Sequence, residues 1–359
     1  MDPIALMSQP PANRPPESKP KRSPRRWFWW VLGIAVAIPL IWILWTEQQP
    51  EQEAWLRNEA QARLQSWFPE VMKPRPSEVG FHPVPAVDRG QVLVVLIHGL
   101  DEPGGVFDGL ITALEQAGYT YSHFLYPNDQ TIPDSTDLLA SHWPELPDHQ
   151  PVVLLGHSMG GLVIRDFVTR WRPALDADSA EVIAALLIGT PNQGSEWARL
   201  RIWLELRDYL GAESTDEFSL FKGLRDGTGA AKVDLRPGSR FLIDLNSRPW
   251  PDDVPMRILG GAVSVEEDLQ RAGLVALERR LGDPDWSRRF ERWLTSGSRQ
   301  LGDGVVPVDA LPAPGAPEPD IVQATHRGLL KPDLIYEGEP PGIAWTLDQL
   351  ARISGPVER

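Results

Sequence analysis

Between an apolar run, Pro151-Val152-Val153-Leu154-Leu155, and a helical pattern, Leu162 to Val168, stands Gly156-His157-Ser158-Met159-Gly160-Gly161. In order these read strand, sharp turn, helix. A G-x-S-x-G in that setting lifts the serine hydroxyl above a sheet edge on a strained turn. The glycines belong there because strand and helix backbones pass too close for a Cβ. The free N–H groups at the start of the following helix point at the place where an oxyanion would form. The pentapeptide alone is weak evidence, since about one chain in ten of this length would carry it by chance at ordinary Gly and Ser usage. Its weight comes from the flanking strand and helix, and from what the rest of the chain supplies.

That remainder alternates strand and helix. Gln91 to Ile97 is a continuous apolar, mostly β-branched run, the pattern of a strand buried on both faces of a parallel sheet. His98-Gly99-Leu100 follows it. Residues 105–117 read as a helix, Tyr121 to Tyr126 as a strand, and Leu138 to Leu146 as a short helix. Val182 to Ile188 is a further strand, ending in Gly189-Thr190-Pro191-Asn192-Gln193-Gly194. Met256 to Val263 and Ile321 to Ala324 read as the last strands, and 343–353 as a terminal helix. This alternation predicts an α/β fold with a mostly parallel sheet and helices on both faces. Two stretches interrupt it. Residues from about 195 to 250 suggest a helical cap over the carboxyl end of the sheet, with a helical layer packed elsewhere as the plainer alternative. Residues 264–301 form a second insertion, where Asp285 to Leu294 mingles Arg and Trp and reads either as a solvated helix face or as a contact for lipid headgroups.

A serine at such a turn needs a base and an acid, and in this topology they follow it in the order acid, then histidine. Seven histidines occur, and only His326, in the turn after the last strand, comes after Ser158. The acid must lie between them at a strand end. Asp303, between Gly302 and Gly304, fits that position; Asp244, in a helical pattern, is the main rival. The oxyanion hole would use the backbone N–H of Met159 and one from the loop after the first long strand, assigned to Leu100. His98 reads as a structural loop residue.

The N-terminal segment belongs to a different solvent. Residues 1–26 are rich in proline, with six Arg or Lys against two Asp or Glu, +4; with the whole chain at −14, the rest carries −18. Such a tail buries too little to fold. Trp27 to Trp45 then runs 19 residues without a charge, tryptophans clustered at both ends. That length and those flanks predict a transmembrane helix over 27–46 with the N-terminus in the cytoplasm and the catalytic domain, 78–359, on the non-cytoplasmic side. Residues 47–77 read as a helical stalk packed on the domain, with Trp55, Leu56, Leu64, Trp67 and Phe68 at helical spacing; a membrane-surface helix is the alternative. The acidic balance argues against a nucleic-acid partner. With no cysteine in the chain there is no disulfide, thiolate nucleophile or cysteine metal site.

Taken together, the motifs resemble the α/β-hydrolases, and among them bacterial lipases and GPI inositol-deacylase-like esterases. Leu96 to Leu100 is similar to their oxyanion strand and loop, Gly156 to Gly161 to their elbow, and Gly189 to Ser195 to the turn after the following strand. Pro237 to Leu242 with Leu245-Asn246 resembles their cap helix, and Asp303 to Pro307 and Thr325-His326 their acid and base turns. The resemblance spans roughly residues 91–330. It implies ester hydrolysis by a serine nucleophile on an ester or lipid substrate, with no metal or organic cofactor. An acyltransferase or thioesterase with the same triad, or a non-catalytic binding protein on this fold, are the competing readings. Protein partners are not legible.

Overall fold

Strand β2 (Leu93–Ile97) is fully buried along its length, and its side chains divide by the two-residue strand period. Leu93, Val95 and Ile97 enter one apolar core, and Val94 and Leu96 enter another. A sheet with two covered faces explains why the run is apolar without alternation. The structure is a computed structural model that describes residues 48–69, 79–84, 90–100, 105–195, 229–263, 301–332 and 339–354, with scattered positions between 29 and 46. Residues up to Pro50 and those from Glu51 onward form two separate compact units.

The described strands form one seven-stranded sheet in the order β1-β3-β2-β4-β5-β6-β7, where β1 is Gly80–His82, β3 Thr120–Leu125, β4 Pro151–His157, β5 Glu181–Ile188, β6 Met256–Ala262 and β7 Asp320–Gln323. All neighbours run parallel except β1, which pairs antiparallel with β3 at the edge. Helix α1 (Pro50–Trp67) precedes the sheet. Helices α2 (Asp108–Ala117), α3 (Ile132–His142) and α4 (Met159–Asp166) connect its first strands. Helices α5 (Ala231–Asp234) and α6 (Arg240–Ser247) lie between β5 and β6, and α7 (Pro341–Ser354) closes the fold. One core contains residues of α3, α4 and α6; the other contains residues of α2 and α7.

Two elements differ from expectation. The helix expected over 138–146 begins earlier, at Ile132, because Thr131 caps it: its side chain accepts the Asp134 N–H at 3.1 Å, and Pro133 stands in the first turn. Strand β1 was not expected at all, since three residues are too few to show a period.

Helix α1 occupies the expected stalk but does not dock through its apolar residues. Trp55 and Trp67 are 64% and 67% exposed, and Leu56 and Phe68 are exposed too. Glu53 is the buried residue, and it accepts hydrogen bonds from Arg57 and Arg236. Among the described residues no helix is long and apolar enough to cross a membrane. Most of the span expected over 27–46 lies outside the described residues; those described within it are helical. The tail 1–26, the central part of the cap region at 196–228 and the second insertion at 264–300 also lie outside them.

Candidate active site

The turn between β4 and α4 puts Ser158 at φ 55°, ψ −126°, a region that non-glycine residues rarely enter. Its surroundings hold it there. The Ser158 N–H donates to the Ile188 carbonyl at 2.8 Å, and the Gly161 N–H to the Ser158 carbonyl at 3.1 Å. The glycines are required by contact. A Cβ at Gly160 would stand 2.1 Å from the Ile97 carbonyl oxygen, and one at Gly156 2.5 Å from the Gly161 nitrogen. The β2 loop crosses directly over the serine, since a Cβ at Gly99 would lie 2.7 Å from Ser158 Cβ and 3.3 Å from its Oγ.

His326 and Asp303 meet at the carboxyl ends of β5, β6 and β7. His326 Nδ1 donates to Asp303 Oδ2 at 2.7 Å, and the His326 N–H to the Asp303 carbonyl at 2.9 Å. The other carboxylate oxygen, Oδ1, accepts the backbone N–H groups of Val305 at 2.9 Å and Val306 at 2.7 Å. Both side chains are almost fully buried. Gly302 and Gly304, at φ 54° and 88°, make the turn that returns two amides to the carboxylate. The His326 ring lies against Gly189, where a Cβ would come within 3.1 Å of Cε1. Its Nε2 is buried and has no hydrogen-bond partner among the described residues. So Ser158 and His326 share one end of the sheet without a hydrogen bond joining them, an arrangement usual before substrate tightens such contacts. The rival acid, Asp244, is mostly exposed and pairs with Arg248.

Met159, whose amide opens α4, and Leu100, last described residue of the β2 loop, are both buried. The loop is fastened from below. Tyr126 donates its hydroxyl to the His98 carbonyl at 2.6 Å and stacks on the His98 ring at 4.4 Å, while His98 Nδ1 donates to the Gly99 carbonyl at 2.9 Å. Burial first, then His98 and His82, lowers His123 to about 3, so it packs edge-on against His98 as a neutral ring.

Three contributors escaped sequence reasoning. His157, inside the elbow, donates from Nε2 to the His326 carbonyl at 3.1 Å and packs on its ring at 4.8 Å. Tyr126 is the second. The third is Arg165 of α4, whose guanidinium reaches Asn192 Oδ1 at 3.1 Å and Asn246 Oδ1 at 2.8 Å. Asn192 Nδ2 in turn donates to the Leu311 carbonyl at 2.5 Å, and Ser195 to the Val305 carbonyl at 2.5 Å. The turn after β5 is thereby tied to α4, to α6 and to the acid turn. Burial lowers Arg165 to about 10, with Arg248 adding to the effect, so it stays charged at neutral pH. Only the spatial partners reveal these roles, because each pair is far apart in sequence.

A model described as the alpha/beta hydrolase family matches residues 94–354. Among solved structures, the metagenomic carboxyl esterase MGS0156 is 18% identical with a TM-score of 0.50, over 75% of this chain and 78% of that one. The lipase BlEst2 of Bacillus licheniformis in mature form is 18% identical at a TM-score of 0.48, over 76% and 99%. The lipase of Staphylococcus hyicus is 12% identical at 0.45, over 73% and 96%. No curated protein matches the sequence.

Proposed function

The chain belongs to the alpha/beta hydrolase family, and on that footing we propose that it hydrolyses carboxylic esters through an acyl-enzyme on Ser158. The observation that carries this reading is the hydrogen-bonded His326–Asp303 pair at the same sheet end as a serine held at positive φ. In the reaction, Ser158 Oγ attacks the ester carbonyl while His326 Nε2 takes its proton. The amides of Leu100 and Met159 receive the charge that develops on the carbonyl oxygen. Collapse of the tetrahedral intermediate expels the alcohol, which leaves with the proton from His326. Water, activated by the same imidazole, then attacks the acyl-serine and releases the acid. Asp303 keeps the Nδ1 proton in place and stabilises the imidazolium without itself being protonated.

The substrate class follows from where the domain would sit. The uncharged stretch Trp27–Trp45 is long enough to cross a bilayer and follows a basic segment, so the reading places the catalytic domain at the non-cytoplasmic surface of a membrane. Acyl esters of lipid type are the substrates within reach there. The test is hydrolysis of p-nitrophenyl esters of graded chain length, beside a phospholipid panel, by the full chain in detergent or lipid. Release of acid that disappears in Ser158→Ala, with folding unchanged, supports the reading. An unchanged rate in that variant rejects it.

A further inference from the structure

Helix α1 presents the wrong side to solvent for a soluble stalk. Its inner attachment is polar. Glu53 is 1% exposed; its Oε1 accepts from Arg57 at 2.8 Å and its Oε2 from Arg236 at 2.6 Å. Arg57 also abuts Gly229, where a Cβ would stand 2.7 Å from Nη1. These anchors locate the helix on the sheet. Gly229 donates to the Asp129 carbonyl, in the loop leaving β3, and Leu235, beside Arg236, accepts from Ser195, in the loop leaving β5. Helix α1 is therefore fastened at the carboxyl end of the sheet, the end that holds Ser158 and His326.

The outer surface is apolar and uncharged in sum. At 3.6 residues per turn, Trp55, Leu56 and Trp67 fall within about a third of the circumference. Glu59 and Arg63 lie in the same arc and neutralise each other at 2.8 Å. Phe68 extends the patch past the last turn. Two exposed indoles beside exposed Leu and Phe need a non-aqueous neighbour. Indole favours the headgroup boundary of a bilayer, having an apolar body and one N–H to keep wet. The neutral arc calls for no anionic lipid. The 19-residue uncharged stretch ends at Trp45, only four residues before the helix begins at Pro50, which keeps the helix within reach of any bilayer that stretch enters.

We infer that α1 is an interfacial helix, with Trp55, Leu56, Trp67 and Phe68 seated in the headgroup region of a zwitterionic bilayer, and that its Glu53–Arg236 fastening turns the carboxyl end of the sheet towards the lipid. The inference rests on the membrane-held reading of Trp27–Trp45. Substrate would then enter the site from the bilayer surface.

The chain has no cysteine, so one introduced thiol is a unique label. The full chain is placed in phosphatidylcholine vesicles with an environment-sensitive fluorophore at Leu56→Cys or at Asp178→Cys. Asp178 lies in the loop entering β5, at the opposite end of the sheet, and its side chain is 82% exposed. The expected result is a blue-shifted emission at 56 that falls at least two-fold when spin-labelled phosphatidylcholine is included, with no change at 178. A label at 56 as wet as that at 178 overturns the inference, as does a blue shift that spin-labelled lipid fails to quench, which would mark a protein neighbour instead. A second arm uses Trp55→Ala with Trp67→Ala. Turnover of a long-chain ester embedded in vesicles should fall about ten-fold, while that of a soluble acetate ester stays unchanged; equal loss on both overturns the proposal. If the wild-type chain cleaves no ester, the hydrolase reading fails, and the quenching arm still decides the placement of α1.

Discussion

Replacing Asp303 by Asn should stop turnover without disturbing the fold, and the hydrogen bonds say why. Oδ1 accepts two backbone N–H groups, from Val305 and Val306, and Oδ2 accepts Nδ1–H of His326. An Asn side chain has one oxygen and one NH2. Turning the NH2 towards the two amides would set donor against donors and strand both, at about 1–3 kcal/mol each. The oxygen therefore stays on Val305 and Val306, and the NH2 faces His326 Nδ1. That nitrogen must then accept, so the imidazole proton moves to Nε2. An Nε2 that already carries a proton cannot take one from Ser158. With geometry kept and the tautomer wrong, kcat should fall between about 10^3-fold and 10^4-fold, or about 4–5.5 kcal/mol of barrier. KM for a soluble p-nitrophenyl ester should stay within about two-fold, because no substrate contact is removed. Stability should move little, since each buried group keeps a partner. The assay is steady-state hydrolysis beside a thermal melt on the same sample. An Asn variant that is folded and keeps more than about a tenth of wild-type kcat would refute the tautomer argument and Asp303 with it.

Other perturbations test the scaffold. Gly160→Ala should cost about 3 kcal/mol or more, or prevent folding, because its Cβ would lie 2.1 Å from a backbone oxygen that cannot swing aside. Gly238→Ala, with open space but φ at 71°, should cost only about 1–2 kcal/mol in the same denaturant titration. Asp234 accepts the Ile132 N–H at 2.9 Å, and burial pushes its carboxyl up to about 7. The native state thus holds this proton more tightly than the unfolded chain does. The stabilisation is complete below about pH 4 and is lost as pH rises through 7. Asp234→Asn should consequently raise Tm, relative to wild type, more at pH 8 than at pH 5; an equal difference at both would refute the assignment.

The parts of the site that spacing could locate were those constrained by chain order. A strand of five buried residues, a glycine-hemmed serine and a single histidine downstream left little freedom, and the structure brings His326 to Asp303, not to Asp244. What spacing could not show were polar contacts across the fold. Tyr126 reads as the end of a strand until its hydroxyl is seen on the His98 carbonyl, and Arg165 reads as a helix surface residue until Asn192 and Asn246 surround it. Helix α1 misled for a related reason. Its Trp and Leu recur with helical period, which ordinarily marks a buried stripe, yet the domain takes up Glu53 through Arg57 and Arg236 and leaves the indoles outside. Periodicity reports an amphipathic helix but not which solvent its apolar side meets.

The central claim is that Ser158 is a nucleophile activated by His326. The most direct measurement is reaction of the full chain with an alkyl phosphonate ester reactive towards activated serines, followed by peptide mass spectrometry. A single adduct on the peptide containing Ser158 is expected, absent in Ser158→Ala and formed at least 10^2-fold more slowly in His326→Ala, the lower range for losing a positioned base. An adduct on another residue, or labelling of Ser158 at an unchanged rate without His326, would contradict it.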